Sequence, residues 1–248
     1  MNPLDRYARR GLWALPVYTA LLLAGTLTHQ PDPSTDFRSY AEYITTSPLV
    51  ISHLITSILG VGIGTLGLVA LFVVLSSGPT ERLALWALVV TVIAQALVTS
   101  VFGVAAFAQP AIGHTFLAGQ TAEAVTINNA IYGPLLFTTA LPGVLLLGVG
   151  FVLFGVAVAR SGALPRTAGI LFAVAGPLFA LIGFAIEPIQ TLSAVLMTAS
   201  TVWIARGGQA CAIAASPRSA RSGASCLGAG QGRHGARRPG GIPGGGSP

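Results

Sequence analysis

LVISHLITSILGVGIGTLGLVALFVVLS, Leu49–Ser76, contains no Asp, Glu, Lys or Arg along its whole length. A helix needs about 20 apolar residues to cross the hydrocarbon of a bilayer, and this run exceeds that. In lipid the backbone must satisfy its own hydrogen bonds, which leaves only helices and closed barrels. Barrel strands would alternate apolar and polar positions. This run does not alternate, so it reads as a membrane helix.

The surrounding chain is built the same way. Of its 248 residues, 53% are hydrophobic and 8% charged, against about 25% charged in soluble domains. Six spans can be drawn, at about 11–29, 49–76, 83–108, 131–159, 167–186 and 189–205. The expected fold is all-α, a polytopic membrane bundle of six transmembrane helices occupying residues 1–206. Arg6, Arg9 and Arg10 precede the first span, and Arg82 lies between the second and third. Arg160 and Arg166 lie between the fourth and fifth, and Arg206 follows the sixth, which leaves Arg38 alone on the other side. Cytoplasmic flanks carry the excess of Arg and Lys, so both termini are expected to be cytoplasmic. The first span has a basic start, but LLLAGTLTHQ lacks an A-x-A cleavage site and has Thr26 where a lipoprotein needs Cys. It is expected to remain as an uncleaved helix. The chain has no lysine, whose codons are A-rich. This points to a GC-rich bacterial genome and hence to the bacterial cytoplasmic membrane.

The formal charge of +6 does not point to nucleic acid. Residues 1–206 hold eight Arg and seven acids, whereas residues 207–248 hold five Arg and no acid. That tail has twelve Gly and no aromatic residue, so it cannot bury enough surface to repay its ordering, and it is expected to be disordered. Its composition is also what GC-rich DNA yields when read out of frame, and a basic tail against anionic lipid is the functional alternative. Cys211 and Cys226 both lie there, leaving no disulfide and no Cys-based metal motif for the membrane part. The absence of lysine excludes a Walker A loop, a Schiff-base lysine and a Ser-x-x-Lys nucleophile. The expected partners are the lipid bilayer and either another membrane protein or a second copy; no cofactor is expected.

Two outer segments interrupt the apolar runs. In PDPSTDFRSYAEYITTSP, Phe37, Tyr40, Ala41 and Ile44 recur at helical spacing while Asp36, Arg38 and Glu42 face elsewhere. This predicts a short amphipathic helix on the outer membrane surface. The second segment, about 109–130, carries His114, Glu123, Asn128 and Asn129 and is expected to be a polar loop capping the bundle.

Gly62, Gly64 and Gly67 spell a literal G-x-G-x-x-G. A dinucleotide site needs those glycines between a strand and a helix start, where N–H groups are free. Inside a span the N–H groups are already bonded, so the match carries no cofactor. The spacing of His53, Ser57, Gly60, Gly64 and Gly67 tells more. At about 100° per residue they share one helix face, a small-residue stripe of the kind by which membrane helices approach closely. Gly169, Ala173, Gly176, Ala180 and Gly183 repeat that stripe in the fifth span, followed four residues later by Glu187, with Pro177 kinking the helix.

Ionisable groups at the edge of a membrane are expensive and point to function. His53 and Glu187, joined by His114, Glu123 or His29 from the outer side, are the candidate ligand, proton or metal site, and His53 is the best single metal ligand. The alternative is structural: His53 bonds a neighbouring helix and Glu187 belongs to a wet turn. A bis-histidine haem would need a second histidine at comparable depth, and only His53 lies clearly within a span. Thr91, Gln95 and Thr99 form a polar stripe in the third span, read as interhelical bonding or as part of a transport path. No hydrolytic motif such as His-Glu-x-x-His or Gly-x-Ser-x-Gly occurs in the bundle. The expected function is therefore a non-enzymatic membrane component that binds a ligand or partner through its outer face. The alternatives are a small transporter or proton-coupled carrier using His53, Glu187 and Gln95, and a metal- or haem-binding redox protein.

Overall fold

The computed structural model describes residues 3–28, 30–183 and 186–214. Among them every regular element is helical. In chain order these are α1 (Pro3–Gly11), α2 (Ala14–Gly25), α3 (Phe37–Ile44), α4 (Ser47–Leu75), α5 (Glu81–Leu117), α6 (Thr121–Ile131), α7 (Pro134–Arg160), α8 (Arg166–Ile182) and α9 (Glu187–Ala214).

Among the described residues, four helices are long and apolar enough to cross a membrane: α4, α5, α7 and α9. The other two expected spans are shorter. The first is broken at Leu12 and Trp13 into α1 and α2, so α2 has 12 residues, a rise of about 18 Å against about 30 Å of hydrocarbon. The fifth ends as α8 at Ile182. Both nevertheless belong to the bundle. Neighbours pack in the order α2, α4, α5, α7, α8, α9 and back to α2, which closes a ring of six. Phe151, Phe154, Phe172, Leu68 and Met197 fill its interior.

The ring closes through the small residues. A Cβ on Gly64 would lie 2.6 Å from the Tyr18 ring, and one on Gly67 would lie 2.8 Å from Leu15. The α4 stripe therefore lies on α2. On α8, Gly169 faces the Gly155 carbonyl of α7 at 2.6 Å from where its Cβ would be, Ala173 faces Gly155 in the same way, and Gly176 receives Phe151. That part of the stripe lies on α7, while Gly183 at its end meets Gln190 of α9. Thr19 and Thr201 hydroxyls meet at 2.9 Å to join α2 to α9.

One end of the ring gathers α1 and the last turns of α9. Arg9 Nη1 donates to the Gly208 carbonyl at 2.9 Å, and Gln209 Nε2 donates to the Arg9 carbonyl at 2.8 Å. The helix thus runs past Arg206 to Ala214, and residues 215–248 of the expected tail lie outside the described residues. The other end carries α3, α6 and the end of α5. Asp36 caps α3 by accepting from the backbone N–H groups of Arg38 and Ser39. The apolar face of α3 is covered by protein rather than lipid, because Gly113 of α5 brings a bare backbone against Ala41, Ile44 and Thr45. The segment expected as a loop is helical: α5 continues through Pro110 to Leu117, and α6 comes next. Together they form a second small core of Tyr40, Ile44, Leu49, Ile112 and Ala124.

Two stretches depart from α-helical bonding, and each has a local cause. In α4, Ser52–Leu59 is π-helical; the Gly60 N–H reaches back to the Ile55 carbonyl. The Ser52 hydroxyl and His53 Nδ1 both bond the Leu49 carbonyl, at 3.1 and 3.0 Å, and the Thr56 hydroxyl bonds that of Ser52. Side chains that take up backbone carbonyls compete with the i to i+4 ladder. In α8, Pro177 has no N–H for the Ala173 carbonyl, and the wider register begins at once, over Leu178–Ile182. The Gly183 N–H closes it on the Leu178 carbonyl at 2.9 Å.

Candidate functional site

The two π-helical stretches face the same space. A cavity of about 120 Å³ opens at the α3 end of the ring, lined by Ser52, His53, Thr56 and Ser57 of α4 and by Gln190 of α9. Thr26 and Thr28 at the end of α2 add hydroxyls, and Phe102 and Phe179 form apolar walls. Among the described residues no Asp, Glu, Lys or Arg lines it. The site is polar and uncharged.

His53 sets its chemistry. A carbonyl oxygen can only accept, so the Nδ1 that lies 3.0 Å from the Leu49 carbonyl oxygen carries a proton. In the neutral ring this leaves Nε2 as an acceptor. The ring also meets Phe102 edge-on, with centroids 6.3 Å apart. His53 is thus oriented by its own helix and by an aromatic wall.

Below lies a second, smaller cavity of about 20 Å³, bounded by Tyr18, Val61, Gln95, Val98 and Leu147. Leu22, Phe102 and Phe179 line both cavities. Gln95 is 3% exposed. Its amide lies 2.7 Å from the Thr65 hydroxyl, which also reaches the Val61 carbonyl, and it bonds Tyr18 of α2. Residues from α2, α4, α5, α7 and α8 meet here, which places the small cavity on the axis of the ring.

The sequence-derived candidates divide accordingly. His53 lines the outer cavity, Gln95 lines the inner one, and Ser57 faces the outer cavity from the α4 stripe. Glu187 is exposed at the first turn of α9, and it is Gln190, one turn further on, that enters the His53 site. His114 and Glu123 are exposed on the far end of α5 and on α6. His29 lies outside the described residues. Among the described residues no three of His, Cys, Asp and Glu come together as a metal cluster would require. The α4 stripe lies on α2, whereas the α8 stripe lies on α7 up to Gly176 and ends with Gly183 against Gln190 of α9. Sequence reasoning missed Gln190, Tyr18, Phe102 and Phe179. Of these only Gln190 carried a signal, as a polar side chain one turn inside the last span.

A third hollow, of about 510 Å³, lies between α5, α7 and α8, and its walls are wholly apolar, including Val101, Phe137, Leu141 and Leu145. It shares Phe102 with the His53 cavity.

Comparison with protein families, curated proteins and solved structures found no match to this chain.

Proposed function

We propose that this chain is a non-enzymatic, six-span protein of the bacterial cytoplasmic membrane that binds a small, uncharged polar molecule from the outer side. Four helices of membrane length support membrane insertion. The closed ring of six helices favours six crossings, with α2 and α8 held between longer neighbours. The arginines of α1, of the α7–α8 turn and of α9 favour a cytoplasmic position for that end.

The observation that carries the binding reading is the polar, charge-free cavity around His53 and Gln190. Burying a polar group without a hydrogen bond costs several kcal/mol in an apolar medium. The hydroxyls of Thr26, Thr28, Ser52 and Thr56 already donate to carbonyls of the preceding turn, so what the cavity offers a small molecule is their lone pairs, the acceptor Nε2 of His53 and the Gln190 amide. The lack of charge argues against an ion as the preferred occupant. The carrier reading keeps one specific support, the small hollow beside Gln95, which lies next to the His53 cavity on the way to the middle of the bundle.

Native mass spectrometry of protein extracted from its own membranes tests this. Wild type should retain a small-molecule adduct that His53→Ala/Gln190→Leu loses while keeping its melting temperature. A bare wild-type mass, or an adduct unaffected by the double substitution, would overturn the reading.

A further inference from the structure

The apolar hollow between α5, α7 and α8 has its back in the bundle and its mouth on the outside of the ring. Val98 and Ala180 at the back are buried, whereas Phe137, Leu141, Leu145 and Leu181 around it are exposed. α5 and α7 touch at Gly143, where an added Cβ would lie 3.1 Å from both Leu97 and Val98. Most of the lining lies beyond that contact, toward the α3 end, where Pro142 interrupts α7 and α8 stops at Ile182. Two helices that meet closely at a glycine separate above it, and the third is too short to close the gap.

A shallower groove continues the hollow along α7. The two share Phe137 and Leu141, and the groove runs on over Thr138 to Pro134 and Tyr132. From Pro134 to Leu145 the helix rises by about 16 Å, close to half of the roughly 30 Å of bilayer hydrocarbon. Among the described residues no charged side chain lines either part, and the side chains of the hollow are all apolar. Water in a cavity needs about 2–4 polar partners, and an apolar cavity of about 150 Å³ stays dry yet takes up benzene. At about 510 Å³ the hollow is roughly three times that size. Open to hydrocarbon and closed to water, it is filled by hydrocarbon.

We propose that the hollow and its groove hold one acyl chain of a phospholipid from the leaflet on the α3 side, as a retained lipid. The methyl end lies among Val98, Val144 and Ala180, and the chain leaves past Phe137 toward Pro134. The match between the length of the groove and the depth of one leaflet selects an acyl chain over a smaller apolar molecule. Without a charged group in the lining, the chain is recognised and the headgroup is not. The proposal rests on the membrane insertion argued above. It does not need an occupant at His53, because the hollow and that cavity share only Phe102.

Photo-crosslinking in vesicles tests this. The full chain is reconstituted with phosphatidylglycerol carrying a diazirine near the end of a palmitoyl chain, and labelled positions are located by mass spectrometry. Label should concentrate on residues 98–102 and 140–145 and stay low on Leu66, an exposed residue of α4. Ala140→Trp fills the hollow from its wall, and Val144→Phe does so with a smaller change where the first variant does not fold. Either should cut the label there by roughly tenfold, the effect of leaving about two methylene groups unburied, with the Leu66 label and the melting temperature unchanged. Phosphatidylethanolamine with the same chain should label the same positions equally. His53→Ala/Gln190→Leu should leave the pattern intact, which separates this site from the polar cavity.

Label spread over all exposed apolar residues in proportion to their exposure would mean passing lipid only, and the proposal would be wrong. Indifference to both filling substitutions would also overturn it, and dependence on the headgroup would overturn recognition by the chain alone. An unlabelled hollow in a dimer that Ala140→Trp dissociates would show a second copy seated there instead. Absence of label from every helix would count against membrane insertion itself.

Discussion

At the scale of single residues, the glycines of α4 separate by what each one faces. An added Cβ on Gly62 meets nothing within 4 Å, whereas one on Gly64 meets the Tyr18 ring at 2.6 Å. Gly155 and Gly169 face each other's backbone carbonyls at 2.6 Å, and backbone cannot swing aside as a side chain can. Gly64→Ala and Gly169→Ala should therefore destabilise by about 1–3 kcal/mol, the usual cost of overfilling a packed interior. Gly62→Ala should be neutral or gain a few tenths of a kcal/mol from helix propensity. Thermal unfolding in detergent, followed by tryptophan emission from Trp13, Trp86 and Trp203, distinguishes them. Equal melting of all three variants would mean that the ring does not close through these contacts. The nucleotide-like motif is thereby split: its first glycine does nothing for the contact that its second and third make possible.

At the scale of elements, Pro177 joins a backbone defect to the position of a wall. Restoring an N–H at that position with Pro177→Ala gives the Ala173 carbonyl its donor and favours the regular register. Removing one residue's worth of slack turns the remainder of α8 by about 100°, which carries Phe179 away from the His53 cavity. The variant should be more stable in thermal unfolding, while a cysteine at Ser57, in a Cys211→Ser/Cys226→Ser background, should label several-fold faster once Phe179 leaves the shared wall; an unchanged rate would show that the π-helical turn does not place Phe179. Elements were also where the sequence was most and least readable. Helix type and the apolar runs could be read from periodicity and the cost of bare backbone in lipid, both local properties. The stripes of α4 and α8 were equally local, and so were His53 and Gln95 as polar exceptions in apolar runs. Gln190, Tyr18, Phe102 and Phe179 were not legible as site residues, because their role depends on which helices become neighbours. Ring order is set by long-range fit and leaves no mark on spacing. The break at Leu12–Trp13 and the helical nature of residues 109–131 were likewise decided by tertiary contacts, with α3 and α6 closing over the end of α5.

At the scale of the whole molecule, the chain has two cores of different chemistry. The ring buries large aromatic and aliphatic side chains and joins its helices through bonded hydroxyls such as Thr19, Ser200 and Thr201, while the smaller core beneath α3 and α6 gathers the phenols and amides of Tyr40, Gln109, Asn128 and Tyr132. Tyr40 is 1% exposed and donates to Asn128 Oδ1 at 3.3 Å. Burial raises its ionisation well above the usual tyrosine value, the neighbouring Tyr132 adds to the shift, and Gln109 opposes it. Burial raises Tyr132 as well. Both groups are thus held in the neutral form by folding. Their contribution is fully present below about pH 10, the unfolded value, and is lost as pH rises beyond it toward the higher folded values. The cap should therefore loosen in alkali before the ring does. The three tryptophans all lie in α2, α5 and α9 or at their edges, outside the cap core, so tryptophan emission reports the ring alone. Between about pH 9 and 12, a window that brackets the ordinary tyrosine value, ellipticity in the far ultraviolet should fall while tryptophan emission stays constant. Tyr40→Phe/Tyr132→Phe should remove that step, since phenylalanine has nothing to ionise, at the cost of the bond to Asn128 and a somewhat lower stability at neutral pH. If ellipticity and emission instead fell together, the cap and the ring would be one cooperative unit. The outer cavity at His53 would then share its stability with the tyrosines above it.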